Sequence, residues 1–146
     1  MIDNEKYEQL LANAGIRVTA MRLMILRTLH TQIHGAFSLQ DLSGLLPTAD
    51  NSTLFRSMTL FAEKQLVHQI DDGSGIQKYC VCHCDEHDPE HHHHGHVHLS
   101  CTVCHRTFCL ENIEIPQVPI PAGFEPVEAE FIVKVVCPKC KEKLYR

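Results

Sequence analysis

The sequence predicts an α+β chain, in which a helical N-terminal part runs into a strand pair and is followed by a small metal-stapled α/β region. Three observations carry this. Apolar residues recur at helical spacing as far as about residue 63, and the period switches towards two after Gln65. Two matched pairs, Cys101-x-x-Cys104 and Cys137-x-x-Cys140, occupy the last third.

Taken in order, Lys6 to Ala14 reads as a short helix stopped by Gly15. Thr19 can cap a second helix through Leu29, with Met21, Leu23, Ile25, Leu26 and Leu29 as a broad apolar face. Ser38-Leu-Gln-Asp41 has capping-box spacing and opens a helix that Pro47 closes. Asp50 or Asn51 can cap a fourth, with Leu54, Met58, Phe61 and Ala62 at helical spacing. Leu66–Ile70 and Ile76–Cys82 read as strands joined by the turn Asp71-Asp-Gly-Ser-Gly75. Helices followed by such a hairpin form the pattern of a winged helix-turn-helix; a plain helical core with a hairpin is the bland alternative.

Residues 83–96, HCDEHDPEHHHHGH, are polar, low in complexity and unable to form a core. Val97–Cys101, Thr107–Leu110 and Glu128–Val136 read as further strands. Between them IEIPQVPIPAGFEP, with four prolines, must be extended or irregular. The expected division is 1–83 for the winged-helix part, 84–96 for a histidine-rich linker and 97–146 for the stapled part.

Composition narrows the function. At 146 residues and 44% apolar, the chain has the size and make-up of one domain or two small ones. The opening MIDNEKYEQL is unlike a secretion signal, and no apolar run approaches the length that crosses a bilayer. A cytoplasmic protein with no membrane partner is expected, with its thiols reduced. A net charge of −5 averages over unequal parts and does not decide for or against nucleic acid.

Eight cysteines and twelve histidines are the unusual feature. Zinc in a structural site takes four ligands in a tetrahedron, and thiolates suit it well. Cys101, Cys104, Cys137 and Cys140 supply two such turns and close the shell, leaving no position open to a substrate. Buried unliganded cysteines would not need two matched pairs, and a redox motif would need only one. The pairs lie far apart in sequence, so the metal would tie a hairpin to a distant C-terminal segment and contribute to folding.

With these residues in place the chain resembles the ferric uptake regulator family. Ala14-Gly-Ile-Arg-Val-Thr-Ala-Met-Arg22 is similar to the family's opening motif. Asn51-Ser-Thr-Leu-Phe-Arg56, running on to Gln65-Leu-Val67, resembles its recognition helix and the start of its wing. His96-Val-His-Leu-Ser-Cys101-x-x-Cys104 resembles the core of its dimerisation domain. The resemblance implies a homodimer that binds double-stranded palindromic operator DNA when a regulatory metal is loaded, with no catalysis. It implies that Ser52, Thr53, Phe55 and Arg56 face the major groove and that Arg17 and Arg22 reach phosphates or the minor groove. Without it, these would be read as solvated arginines and a packed Phe. Phe55 stands where the family usually has Tyr.

A sensor should draw its ligands from both parts of the chain, so that metal fixes their arrangement. Cys80, Cys82 and Cys84 alternate and share a face of an extended chain, as do His96 and His98. Where the family has an acid eight residues after the first cysteine of the first pair, this chain has Cys109, with Glu111 following. Thiolate-rich surroundings favour zinc over iron(II) or manganese(II). Leu-Val-His68 and Tyr79-Cys-Val-Cys82-His83 resemble the zinc uptake regulator branch. The expected regulatory set is therefore His68, Cys82, His98 and Glu111 or Cys109, with His96 and Cys80 as close substitutes.

Two departures remain. The proline-rich stretch cannot form the long helix that much of the family places between its cysteine pairs. Ala129 also stands where a histidine is usual. The leading expectation is a zinc-responsive repressor with one structural and one regulatory zinc. The alternatives are an iron- or peroxide-responsive relative using Fe2+ or Mn2+, and a zinc buffer or carrier without DNA binding. A zinc enzyme is disfavoured because no acid is placed as a general base beside an open zinc. Haem on Cys137-Pro138 is disfavoured because Cys137 is committed to the four-cysteine shell.

Overall fold

The computed structural model describes residues 4–81, 97–110, 113, 116–127 and 129–145. The chain divides into two compact units, Met1–His83 and Cys84–Arg146.

In the first unit four helices accompany a small sheet: α1 (Asn4–Asn13), α2 (Ala20–Thr31), β1 (Phe37–Ser38), α3 (Leu39–Leu45), α4 (Asn51–Glu63), β2 (Val67–Ile70) and β3 (Lys78–Val81). Helices α2, α3 and α4 start where the sequence supplies an acceptor for orphan N–H groups. Thr19 accepts from the Arg22 amide. Ser38 and Asp41 form the reciprocal capping box, and Asp50 accepts from the Thr53 amide at 2.7 Å.

The exits of α1 and α4 share one geometry. Ile16 N–H donates to the Leu11 carbonyl and Gly15 N–H to Ala12, with Gly15 at φ +75°. Leu66 N–H donates to Phe61 and Gln65 N–H to Ala62, with Gln65 at φ 63°. Both are Schellman caps, but the second puts a side chain where glycine is usual.

The core joins all of these elements. Leu11, Ile25, Leu26, Leu29, Leu42, Leu54, Met58 and Phe61 bury against Phe37, Val67 and Tyr79 of the sheet. The strand order is β1-β3-β2, fully antiparallel. Strand β1 is unforeseen from sequence, because two residues are too few to show a period; Phe37 is held there opposite Tyr79 with ring centroids 5.9 Å apart.

The hairpin is longer than its sequence turn implies, since pairing begins at Lys78 instead of Ile76. Asp71 accepts from the Gly73 amide, Asp72 from Ser74 and the Ser74 hydroxyl from Ile76, so this backbone is satisfied locally and not by a ladder. The Lys78 ammonium pairs with the Asp72 carboxylate at 2.7 Å, and both side chains are buried.

The second unit is a three-stranded sheet of β4 (Val97–Cys101), β5 (Thr107–Leu110) and β6 (Phe131–Val135), followed by α5 (Pro138–Leu144). The order is β5-β4-β6, with β5 antiparallel and β6 parallel to the central strand. The final strand begins at Phe131, later than the expected Glu128, which lies outside the described residues along with the histidine-rich stretch. Residues 116–127 form no helix or strand, as four ring-locked prolines require. Helix α5 is unforeseen, although Pro138 at its first position was a readable start signal. Among the described residues no helix is long and apolar enough to cross a membrane.

Candidate metal centres and nucleic-acid interface

Strand β4 ends on Cys101, and the chain then turns in a tight knuckle. The Cys101 amide donates to the Arg106 carbonyl and the His105 amide to the Cys101 carbonyl, with His105 left-handed at φ 61°. The Thr102 amide reaches the Val135 carbonyl at 2.9 Å, tying the knuckle to the end of β6. Two residues on, Cys137 caps α5 and Cys140 lies in its first turn.

The four sulfurs converge. Their donor atoms all lie within 4.8 Å of one another, and Cys104 Sγ is 3.8 Å from Cys137 Sγ. Zinc–sulfur bonds of about 2.3 Å in a tetrahedron put sulfurs about 3.8 Å apart, so this edge matches the shell of such an ion. Cys101, Cys137 and Cys140 are buried while Cys104 is exposed.

The electrostatics point the same way. Backbone N–H groups of Cys104 and then Cys137 bring the Cys101 thiol down to about 5, the Cys137 amide lying 3.4 Å from its sulfur. The Cys140 amide lowers Cys137 likewise. Burial, and then the neighbouring sulfurs, push Cys140 up to about 12. Four thiolates at this spacing repel unless a cation sits among them, and the group could hold a metal ion.

Two further pairs of soft ligands lie across strands. In the first unit His68 on β2 is directly opposite Cys80 on β3. In the second, His98 on β4 is directly opposite Cys109 on β5. Opposed residues project from the same face with β-carbons about 5 Å apart, close enough to share an ion. Cys80 and His98 are buried. Neither pairing is visible in sequence, because register depends on where the turns end. Cys82, His96 and Glu111 lie outside the described residues.

Helix α4 presents the residues expected at DNA. Leu54, Ser57, Met58 and Phe61 point inward, leaving Ser52, Phe55 and Arg56 exposed and Thr53 half-buried. Phe55 is 55% exposed, an unusual place for a phenyl ring. Arg17 is exposed, and Arg22 donates to its carbonyl at 2.7 Å, so one arm of that guanidinium steadies the turn before α2.

Comparison with known proteins agrees with this architecture. The chain is similar in fold to a zinc uptake regulator solved with zinc and DNA, at 21% identity and TM-score 0.64, over 98% of this chain and 95% of that one. It is similar to a ferric uptake regulator from Pseudomonas aeruginosa with manganese, at 21% identity and TM-score 0.59, over 94% and 99%. It is also similar to a zinc-bound manganese uptake regulator, at 20% identity and TM-score 0.57, over 88% and 98%. No curated protein sequence matches it. The sequence model of the ferric uptake regulator family matches residues 13–134, most of the chain. The chain therefore belongs to the ferric uptake regulator family, whose members are metal-responsive transcription regulators and not enzymes.

Proposed function

We propose that this protein is a zinc-responsive transcriptional repressor that binds palindromic operator DNA as a homodimer. The observation that carries the DNA half is the exposed Phe55–Arg56 pair on α4. An exposed ring beside a guanidinium suits thymine-methyl packing next to a guanine edge, and a purely structural helix has no use for it. Asp50 caps this helix, leaving its N-terminal turns regular for entry into the major groove.

The four-cysteine centre is proposed to hold a structural zinc. Cys101, Cys104, Cys137 and Cys140 would bind it as thiolates, and the ion would supply the cross-link that a core of three cysteines and Phe108 cannot. A second, regulatory zinc is assigned to ligands drawn from the His68/Cys80 pair in the wing and the His98/Cys109 pair in the C-terminal sheet. Cys82, His96 and Glu111 remain in the set from sequence. Both pairs join an imidazole to a thiol, a combination that suits zinc better than iron(II) or manganese(II).

The test is operator binding. Duplexes retained from a random pool at saturating zinc give the target, and metal-stripped protein is then titrated with zinc, iron(II) or manganese(II) while bound metal is counted. Zinc beyond one equivalent per chain is expected to tighten binding. If only iron(II) or manganese(II) does so, the zinc assignment fails; if no duplex is retained under any metal, the repressor reading fails.

A further inference from the structure

The two faces of the second unit's sheet are unequal in an unexpected direction. Register puts Leu110, Val97 and Phe131 in one cross-strand row and Phe108, Leu99 and Val133 in the next, all on one face. The opposite face carries His98, Ser100 and Thr107, which are buried. Five of the six are half-buried, Phe108 against the buried cysteines, and Val133 is 48% exposed. A sheet that leaves its apolar face partly exposed needs a cover.

The chain supplies a matching strip that does not lie on its own sheet. In residues 116–127 the side chains of Val118, Ile120, Phe124 and Val127 are all exposed, Phe124 at 72% and Val127 at 94%. Pro116, Pro119, Pro121 and Pro126 stiffen this arm, so docking it costs little backbone entropy and leaves fewer N–H groups to satisfy. Charges complement one another. Glu125 lies within the arm, while Arg106 sits at the rim of the open face with its guanidinium 5.6 Å over the Phe108 ring.

Size decides what the cover is. Three strands about 4.8 Å apart and four residues of about 3.3 Å each give a face of about 200 Å² in projection. A stable interface needs about 800 Å² per partner, so the face alone is too small. Twelve extended residues reach about 35 Å, more than twice the width of the sheet. Under twofold symmetry every arm-on-face contact occurs twice.

We infer that the apolar sheet face is covered by the proline-rich arm of a second copy of this chain, and reciprocally, so that the dimer is made by exchanged arms. This rests on the homodimer of the proposed function and specifies how it forms. Glu125 of each arm meets Arg106 on the other copy's face.

Sedimentation of the zinc-loaded full chain tests it. Replacing Phe124 and Val127 with serine is expected to weaken dimerisation at least tenfold, with the zinc count and helical signal kept. Arg106→Glu and Glu125→Arg are each expected to weaken it, because each puts like charges together. Mixed one to one, those two variants are expected to associate at least tenfold better than either alone, since every arm then meets an opposite charge only when the copies exchange. An arm variant that dimerises like the parent, or a mixture no better than its components, overturns the exchanged arm. A parent chain that stays monomeric overturns the dimer itself.

Discussion

Cys104 Sγ lies 3.8 Å from Cys137 Sγ although 33 residues separate them in sequence. That edge joins the knuckle after β4 to the start of α5, and among the described residues of the second unit little else is buried as hydrophobic core. Replacing Cys137 and Cys140 with serine should remove one tightly held zinc per chain and destabilise the second unit. Elemental analysis with amide exchange checks this, and unchanged zinc content would refute the assignment.

Acid should act through the same thiols, with a definite sign. In the zinc-free chain Cys101 sits near 5 against an ordinary 9.0, so its stabilising effect is complete above pH 9 and is lost as pH falls to about 5. Cys140, near 12, acts oppositely and destabilises as pH rises beyond 9. Zinc-free melting temperature should therefore rise from pH 5 towards 9 and fall beyond it. At pH 7 zinc must also displace the Cys140 proton, so calorimetry in buffers of different ionisation enthalpy should show about one proton or more released per zinc.

The buried pair of Asp72 and Lys78 fixes the base of the wing. Removing one partner strands the other charge, so Asp72→Ala should cost about 3–5 kcal/mol of stability. Replacing both together, Asp72→Leu with Lys78→Met, should cost far less. Denaturant unfolding of the three proteins measures the difference; equal losses in the single and double variants would show that the pair is not the cause.

Much of this architecture could be read from the residues, for a physical reason. Thr19, Ser38 and Asp50 announce their helices because capping is local, and the four cysteines announce their site because ligand spacing is local. Strand β1 and the His68/Cys80 and His98/Cys109 pairings stayed hidden because each depends on register set by residues elsewhere. The turn at 71–77 misled for the opposite reason: its side chains satisfy backbone that the alternating pattern assigned to strand.

Gln65 offers a gain in stability. Its φ of 63° costs a side-chain-bearing residue about 1 kcal/mol or more, and glycine avoids that cost. Gln65→Gly should stabilise the first unit by about 0.5–1 kcal/mol, the rest being returned as unfolded-state entropy. Gln65→Val should destabilise it. Thermal melts that rank Val above Gly would contradict the cap described above.

His68 and Cys80 face one another across β2 and β3, which makes the regulatory proposal separable from the structural one. His68→Ala and Cys80→Ser each remove one donor while leaving the four cysteines untouched. Either variant should keep one zinc per chain and its melting behaviour, yet lose the tightening of operator binding when zinc is raised. Arg56→Ala should behave in the complementary way, responding to zinc but binding its operator about ten- to a hundredfold more weakly through loss of a guanine contact. The two classes differ because one set of groups reads metal and the other reads DNA. If His68→Ala still answers to zinc like the parent, the wing pair is no part of the sensor.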